Sequence, residues 1–266
     1  MTERFLQAPC FHHHTLASTS ATARQMLLAV DQQVVPFVVS ADLQTAGRGR
    51  GSNRWYSDAG SLGLTIAFDP VARGLSPERE PCLSLAFGAI LIRHLERSGQ
   101  IPPYAAGMRW PNDLEAGGLK FGGLLPERIQ TSQGPRILLG IGLNIHTNLN
   151  AAPPEVARMA TSLARLQAGN GPEPRASDTQ TISGLAEYRV LVLETLDEAI
   201  HRLASQDQEL PALWSSLDLL LDQPVRIQLP DRLVEGVGAG IDEWGRIRVR
   251  TEATVETLSG GSVLRN

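Results

Sequence analysis

Lys120 is the one lysine among the 24 lysine and arginine residues of the chain. Where arginine replaces lysine almost everywhere, a surviving ammonium marks a place that a planar guanidinium fork does not fit. Phe121-Gly122-Gly123-Leu124-Leu125-Pro126-Glu127 follows it, and the two glycines let a ligand come close to a strand backbone. An ammonium there can neutralise a carboxylate and a phosphate together as an acyl phosphate forms.

Three further stretches carry chemistry. Gln44-Thr45-Ala46-Gly47-Arg48-Gly49-Arg50-Gly51-Ser52-Asn53-Arg54-Trp55 alternates glycine with arginine and holds no acid. Its backbone N–H groups and guanidinium forks suit a carboxylate or phosphate, and Trp55 offers a flat face to a ring. A flexible arginine-rich loop or an RNA-binding tail is the plainer alternative, but the stretch is short, internal and closely flanked by strand-like sequence. It lacks the Gly-Lys-Ser/Thr ending of a phosphate-binding loop of the Walker type. In Arg109-Trp110-Pro111-Asn112-Asp113-Leu114, a rigid Trp-Pro pair precedes two short polar side chains. Asn112 and Asp113 suit a phosphate and its Mg²⁺, although an Asn-Asp turn explains them equally well. Gly140-Ile141-Gly142-Leu143-Asn144 is a glycine-relieved strand ending in an amide that can read a base edge.

These stretches need a scaffold. Ser18-Thr19-Ser20 caps a helix expected over Ala21 to Val30. Strands are expected at Val34–Ser40, Leu62–Phe68, Gly107–Trp110, Lys120–Glu127 and Arg136–Asn144, with a loop over Gln44–Gly60. Helices are expected at Cys82–Arg97, Thr161–Leu166 and Thr181–Ala204, with a Gly/Pro-rich loop at Ala168–Ala176. From Pro224 the pattern becomes short alternating segments, Val225–Leu229, Leu233–Ile241, Arg246–Arg250 and Val255–Leu258, which read as a small antiparallel barrel. The fold class is therefore α/β (α+β), a mixed-sheet domain with a small all-β cap.

Net charge is −4, so anion binding must come from a local cluster and a general nucleic-acid role is disfavoured. Cys10 and Cys82 have neither metal nor disulfide spacing, no leader is visible, and no apolar stretch spans a membrane. A cytoplasmic protein without membrane contact is expected. His12-His13-His14 reads as an exposed polar run, since three adjacent histidines cannot all face one ion, and Cys82 reads as core. Arg246, Arg248 and Arg250 read as a solvated strand face, with docking of an acidic carrier protein as the alternative.

In this order the four stretches resemble the biotin–protein ligases of the biotin/lipoate ligase superfamily. Those carry Gly-Arg-Gly-Arg followed by Trp, then Lys-Trp-Pro-Asn-Asp, Lys-x-x-Gly-Ile-Leu-x-Glu and Gly-Ile-Gly-Ile-Asn. The likeness runs from about Ser18 to Asn144, and the C-terminal segments look like that family's SH3-like domain. It implies a catalytic domain over residues 1–220 and an SH3-like β-barrel over 221–266. It also implies an ATP- and Mg²⁺-dependent ligase that makes biotinyl-5'-AMP and transfers biotin to a lysine. The acceptor would be the biotin carboxyl carrier domain of acetyl-CoA carboxylase or a related carboxylase.

The resemblance assigns Lys120 and Arg50 to catalysis. Ser18, Thr19, Gln44, Gly47, Arg48, Lys120 and Gly122 would hold biotin, while Arg50, Trp55, Asn112 and Asn144 would hold ATP and the adenylate, with Asp113 on Mg²⁺. The sequence departs from the family at Ser20 (usually Asn), Asn53 (commonly Arg), Arg109 (Lys) and His146 (a frequent second Asn). About 17 residues precede Ser18, too few for the helix-turn-helix domain of repressor members, so a monofunctional ligase without DNA binding is expected. The resemblance leaves a homodimer through the sheet open. The competing readings are a lipoate or octanoate ligase and a non-catalytic binder of biotin or its adenylate; Lys120 and Asp113 argue against the binder.

Overall fold

The structure, a computed structural model, describes residues 4–29, 34–169 and 179–265, and of 179–183 the backbone alone. The first nine strands are β1 (Cys10–Leu16), β2 (Phe37–Gln44), the short pair β3 (Gly47–Arg48) and β4 (Arg54–Trp55), β5 (Ser61–Phe68), β6 (Ala106–Arg109), β7 (Asp113–Ala116), β8 (Leu119–Thr131) and β9 (Gly134–Asn144). Seven of them form one mixed sheet in the order β1-β2-β5-β9-β8-β7-β6, in which β1 runs parallel to β2 and the other pairs are antiparallel.

Helices α1 (Thr19–Ala29) and α2 (Leu83–Arg97) lie on opposite faces of this sheet; α3 (Pro154–Ala157), α4 (Leu163–Ala168), α5 (Thr179–Ala204) and α6 (Leu210–Ser215) follow. Every residue of β5 is buried, which is why its sequence reads as a continuous apolar run. Leu64, Ile66 and Phe68 join Leu85, Phe87, Ile90 and Leu196 in the core under α2 and α5. On the other face α1 sets Ala23 and Leu27 against Phe37, Val39 and Leu138. Because α1 is short, it covers only part of that face, and the uncovered part becomes the floor of a cleft.

The C-terminal strands β10 (Pro224–Gln228), β11 (Leu233–Ile241), β12 (Ile247–Arg250), β13 (Val255–Leu258) and β14 (Ser262–Val263) form a five-stranded antiparallel sheet, in the order β13-β12-β11-β10-β14. Its inward side chains Val225, Ile227, Ile247 and Val249 belong to the same apolar cluster as Trp214, Leu217 and Leu220. The indole of Trp110 also donates to the Gly245 carbonyl at 2.9 Å, tying the small sheet to the strand end beside the cleft.

Several elements differ from the sequence reading. The His12-His13-His14 run lies inside the edge strand β1, where His12 and His14 approach Asp42 at 3.3 and 3.0 Å. Residues on both faces of this edge strand are largely exposed, so its polar sequence gives no alternation to detect. β2 begins at Phe37, and the expected loop over Gln44–Gly60 contains β3 and β4. β7 begins at Asp113, so Asn112-Asp113 leads into a strand. Arg246 lies outside β12 and pairs with Asp242 at the turn, leaving Arg248 and Arg250 on the outer face. Val30 and residues 170–176 lie outside the described residues. Among the described residues no helix is long and apolar enough to cross a membrane.

Candidate active site

β5, β9 and β8 lie side by side, and their register sets Gly63 against Gly142 and Gly142 against Gly123. One row of the sheet thus carries three glycines on its uncovered face. A Cβ added at Gly142 would stand 2.6 Å from the Trp55 indole, and one at Gly63 would stand 2.6 Å from Gln44 Nε2. At Gly123 it would meet Lys120 Cε and Nζ at 3.1 Å. The glycines let these three side chains lie flat on the sheet, a close approach that any larger residue prevents.

At one end of this floor is a buried polar network. Gln44 Oε1 accepts from the Thr19 backbone N–H at 2.9 Å and from Thr19 Oγ1 at 3.2 Å. Thr65 Oγ1 donates to Thr19 Oγ1 at 2.9 Å and lies 3.1 Å from Ser20 Oγ. Ser18 sits behind it at the start of α1, its hydroxyl accepting from the Ala21 N–H at 3.4 Å.

At the other end is a charged cluster. Lys120 Nζ lies 2.5 Å from Asp113 Oδ1 and 5.6 Å from the centre of the Trp55 ring. Arg265 bonds the buried carboxylate of Glu115 and stands 3.9 Å from Asp113. Arg109 donates to the Leu264 carbonyl at 3.1 Å, and Arg50 donates to the Gly261 carbonyl. Burial lowers the pKa of the Arg109 guanidinium; Glu115 and Asp113 oppose that shift, and Arg265 adds to it.

The cleft encloses about 920 Å³, counting space open to solvent, and Thr19, Gln44, Arg48, Arg50, Trp55, Asn112, Asp113 and Lys120 all line it. The other residues singled out in the sequence stand behind the wall. Gly47 lies against the Trp55 backbone, where a Cβ would be 2.6 Å from the carbonyl oxygen, so it permits β3 to pair with β4. Gly122 faces Leu143 and Leu114 in the core. Asn144 is buried and donates to the Thr161 carbonyl at 3.0 Å. Asn112 lines the cleft, and its amide donates to the Leu124 carbonyl at 2.6 Å.

Thr65, Ser262, Val263 and Arg265 belong to the site or its network and were not singled out from the sequence, whereas Arg54 lines the cleft as part of the arginine-rich stretch. Thr65 has a local signal, a lone hydroxyl in an apolar strand. Arg265 has none, because Glu115 lies 150 residues away.

Such a site can bring two anions together and neutralise them. Six cations line it, Lys120 with Arg48, Arg50, Arg54, Arg109 and Arg265, against the single acid Asp113. No cysteine among the described residues lines the cleft, and burial pushes the Cys82 thiol up to about 11. Among the described residues no three His, Cys, Asp or Glu side chains are placed to hold a metal ion. Asp113 alone fits Mg²⁺ that arrives on phosphate oxygens, since that ion takes one or two carboxylates and completes its shell with phosphate and water.

Comparison with known proteins agrees with this geometry. The biotin/lipoate A/B protein ligase family profile matches residues 15–144, and that of the biotin protein ligase C terminal domain matches residues 220–265. A biotin–[acetyl-CoA-carboxylase] ligase of Mycobacterium tuberculosis is 30% identical over 257 residues, covering 94% of this chain and 87% of that protein. A bifunctional ligase/repressor of Bacillus subtilis is 27% identical, covering 95% of this chain and 72% of its own. Among solved structures, the biotin protein ligase of Aquifex aeolicus in complex with biotin and ATP superposes with a TM-score of 0.76 at 22% identity, covering 97% of this chain and 99% of the other.

Proposed function

The chain belongs to the biotin/lipoate A/B protein ligase family, and we propose that its glycine-floored cleft joins biotin to AMP and then hands biotin to a carrier domain. Within that family it is an ATP-dependent biotin–protein ligase. The observation that carries this reading for the cleft is Lys120, flat on Gly123 and 2.5 Å from Asp113 in a cleft lined by arginines.

In the first half-reaction a carboxylate oxygen of biotin attacks the α-phosphorus of ATP. Two anions must meet, so the barrier falls mainly through positioning and charge neutralisation. The polar end formed by Gln44, Thr19 and Ser20 suits the ureido ring, with Thr65 fixing the hydroxyl directions. The Trp55 indole, seated flat on Gly142, suits the acyl chain and the adenylate along its outer face. Lys120 neutralises the carboxylate and α-phosphate together, and Arg50 turns from the Gly261 carbonyl to the same phosphate. Asp113 would hold Mg²⁺ on the phosphates; when bound, the ion offsets phosphate charge. Gly47, Gly122 and Asn144 shape the walls from behind, and Ser18 starts the helix that presents Thr19 and Ser20.

In the second half-reaction the acceptor lysine attacks the acyl carbon and AMP leaves. The acceptor on this reading is the biotin carrier domain of a carboxylase. A cytoplasmic location suits the two free thiols, Cys10 and Cys82. Incubating the protein with ATP, biotin and a purified carrier domain should add one biotinyl mass to a single carrier lysine, with no addition from lipoate or octanoate. Intact-mass measurement reads this directly. Addition of lipoyl or octanoyl in place of biotin would overturn the substrate assignment.

A further inference from the structure

Glu115 is the one acid among the described residues that is fully buried. A carboxylate taken out of water needs a partner, and Arg265, 150 residues further along the chain, supplies it. Strand β7 sets Asp113 and Glu115 on the same face, because alternate residues of a strand share a side. In the register of β7 with β8, Glu115 stands opposite Lys120. Yet Lys120 Nζ goes to Asp113, at 2.5 Å, and Arg265 goes to Glu115. Arg265 also stands 3.9 Å from Asp113, so this guanidinium lies within reach of two carboxylates and is held by the buried one. Arg109 fixes the backbone beside it by donating to the Leu264 carbonyl at 3.1 Å.

A buried ion pair is a weak source of stability, because lost hydration offsets the attraction. What this pair does decide is which acid Arg265 takes. On the reading that the cleft adenylates biotin, we infer that Glu115 is a positioning residue: it holds Arg265 off Asp113 and so leaves the Asp113 carboxylate to Lys120 and to magnesium carried in on ATP. Glu115 does not line the cleft, whereas Arg265 and Asp113 do, so it acts through them. Once Glu115 is neutral, the carboxylate already within ion-pair reach of Arg265 is Asp113. A guanidinium can take both oxygens of a carboxylate in a two-toothed fork. Asp113 then has no free oxygen for the metal and shares its charge with two cations. The consequence runs against simple charge counting. Neutralising Glu115 makes this end of the cleft more positive, yet the anionic nucleotide binds less well. Removing Arg265 as well makes it less positive, yet binding recovers.

The full chain, with biotin present, is titrated with the magnesium complex of α,β-methylene-ATP, whose α,β linkage cannot break, and the rise in melting temperature is followed. We expect half-maximal stabilisation to need about tenfold more of the complex in Glu115→Gln, the usual scale for losing a group that orients a metal ligand. Glu115→Gln/Arg265→Gln should return to within about threefold of the unaltered protein, because the competitor for Asp113 has gone. Glu115→Asp keeps the charge and should cost no more than about threefold. Biotin affinity by calorimetry should stay within about twofold in all three, since the Gln44–Thr19 network lies at the other end of the floor. Without ligands, Glu115→Gln should lower the melting temperature by no more than about 2–4 °C, because Arg265 is 32% exposed and can turn to water. Unchanged nucleotide binding in Glu115→Gln would overturn the inference. So would a double variant as weak as the single one, which would put Arg265 itself on the phosphates. An equal loss in Glu115→Asp would overturn it too, by making Glu115 a packing residue. If the unaltered protein gains no stability from the complex, the adenylation reading of the cleft falls, and the role of Glu115 with it.

Discussion

Lys120→Arg will slow biotinyl-5'-AMP formation by a factor on the order of 10² to 10³, the usual cost of losing one preorganised charge at a reacting centre. The side chain lies on Gly123, with Cε and Nζ 3.1 Å from the position of an added Cβ, and its head contacts Asp113 at 2.5 Å. The Trp55 ring stands 5.6 Å away on another side. A guanidinium is longer and planar, and cannot put one compact charge between two anions in that space. The fold should survive the change. The Lys120 backbone keeps its bonds to Met159 and from Thr161, at 2.8 and 2.9 Å. The ion pair itself is part-exposed, so its loss costs about 1 kcal/mol or less. Pyrophosphate exchange together with a melting curve separates the two effects. Exchange at the unaltered rate would show that Lys120 is not at the reacting centre.

Gly142→Val is expected to abolish measurable biotin binding and lower adenylation by a factor on the order of 10². The added Cβ would lie 2.6, 2.8 and 3.0 Å from three atoms of the Trp55 indole, so either the ring or the floor must move. Gly142 does not adopt a left-handed backbone, and valine is a good strand former, so the sheet tolerates the residue. What is lost is the space above the sheet. Gly260→Ala is the matched control: an added Cβ there meets nothing within 4 Å. Titration of biotin by calorimetry should show no heat for Gly142→Val and an unaltered isotherm for the control. Tight binding by the valine variant would mean that biotin does not use this floor.

Much of this was legible in the sequence because the chemistry is concentrated in short contiguous stretches. Gly140 and Gly142 announce a floor because alternate residues of a strand share a face, and the lone lysine announces itself by composition. The strands β5 and β9 were readable as apolar runs because nearly all their residues are buried. The edge strand β1 was hidden, since exposure on both of its faces removes the apolar alternation. The hairpin of β3 and β4 was hidden in glycine and arginine, whose local preferences are those of a loop. Most opaque was the C-terminal segment: Gly261, Leu264 and Arg265 reach Arg50, Arg109 and Glu115 across 150 or more residues of sequence. Only the packing of the small sheet on Trp214, Leu217 and Leu220 brings them there.

Acid-dependent ATP–pyrophosphate exchange on the purified protein, comparing biotin with lipoate and octanoate, reads out whether the cleft adenylates biotin. Exchange is expected with biotin alone, and is expected to be lost in Lys120→Arg. Exchange supported by lipoate or octanoate in its place, or no exchange with any of the three by folded protein, would contradict it.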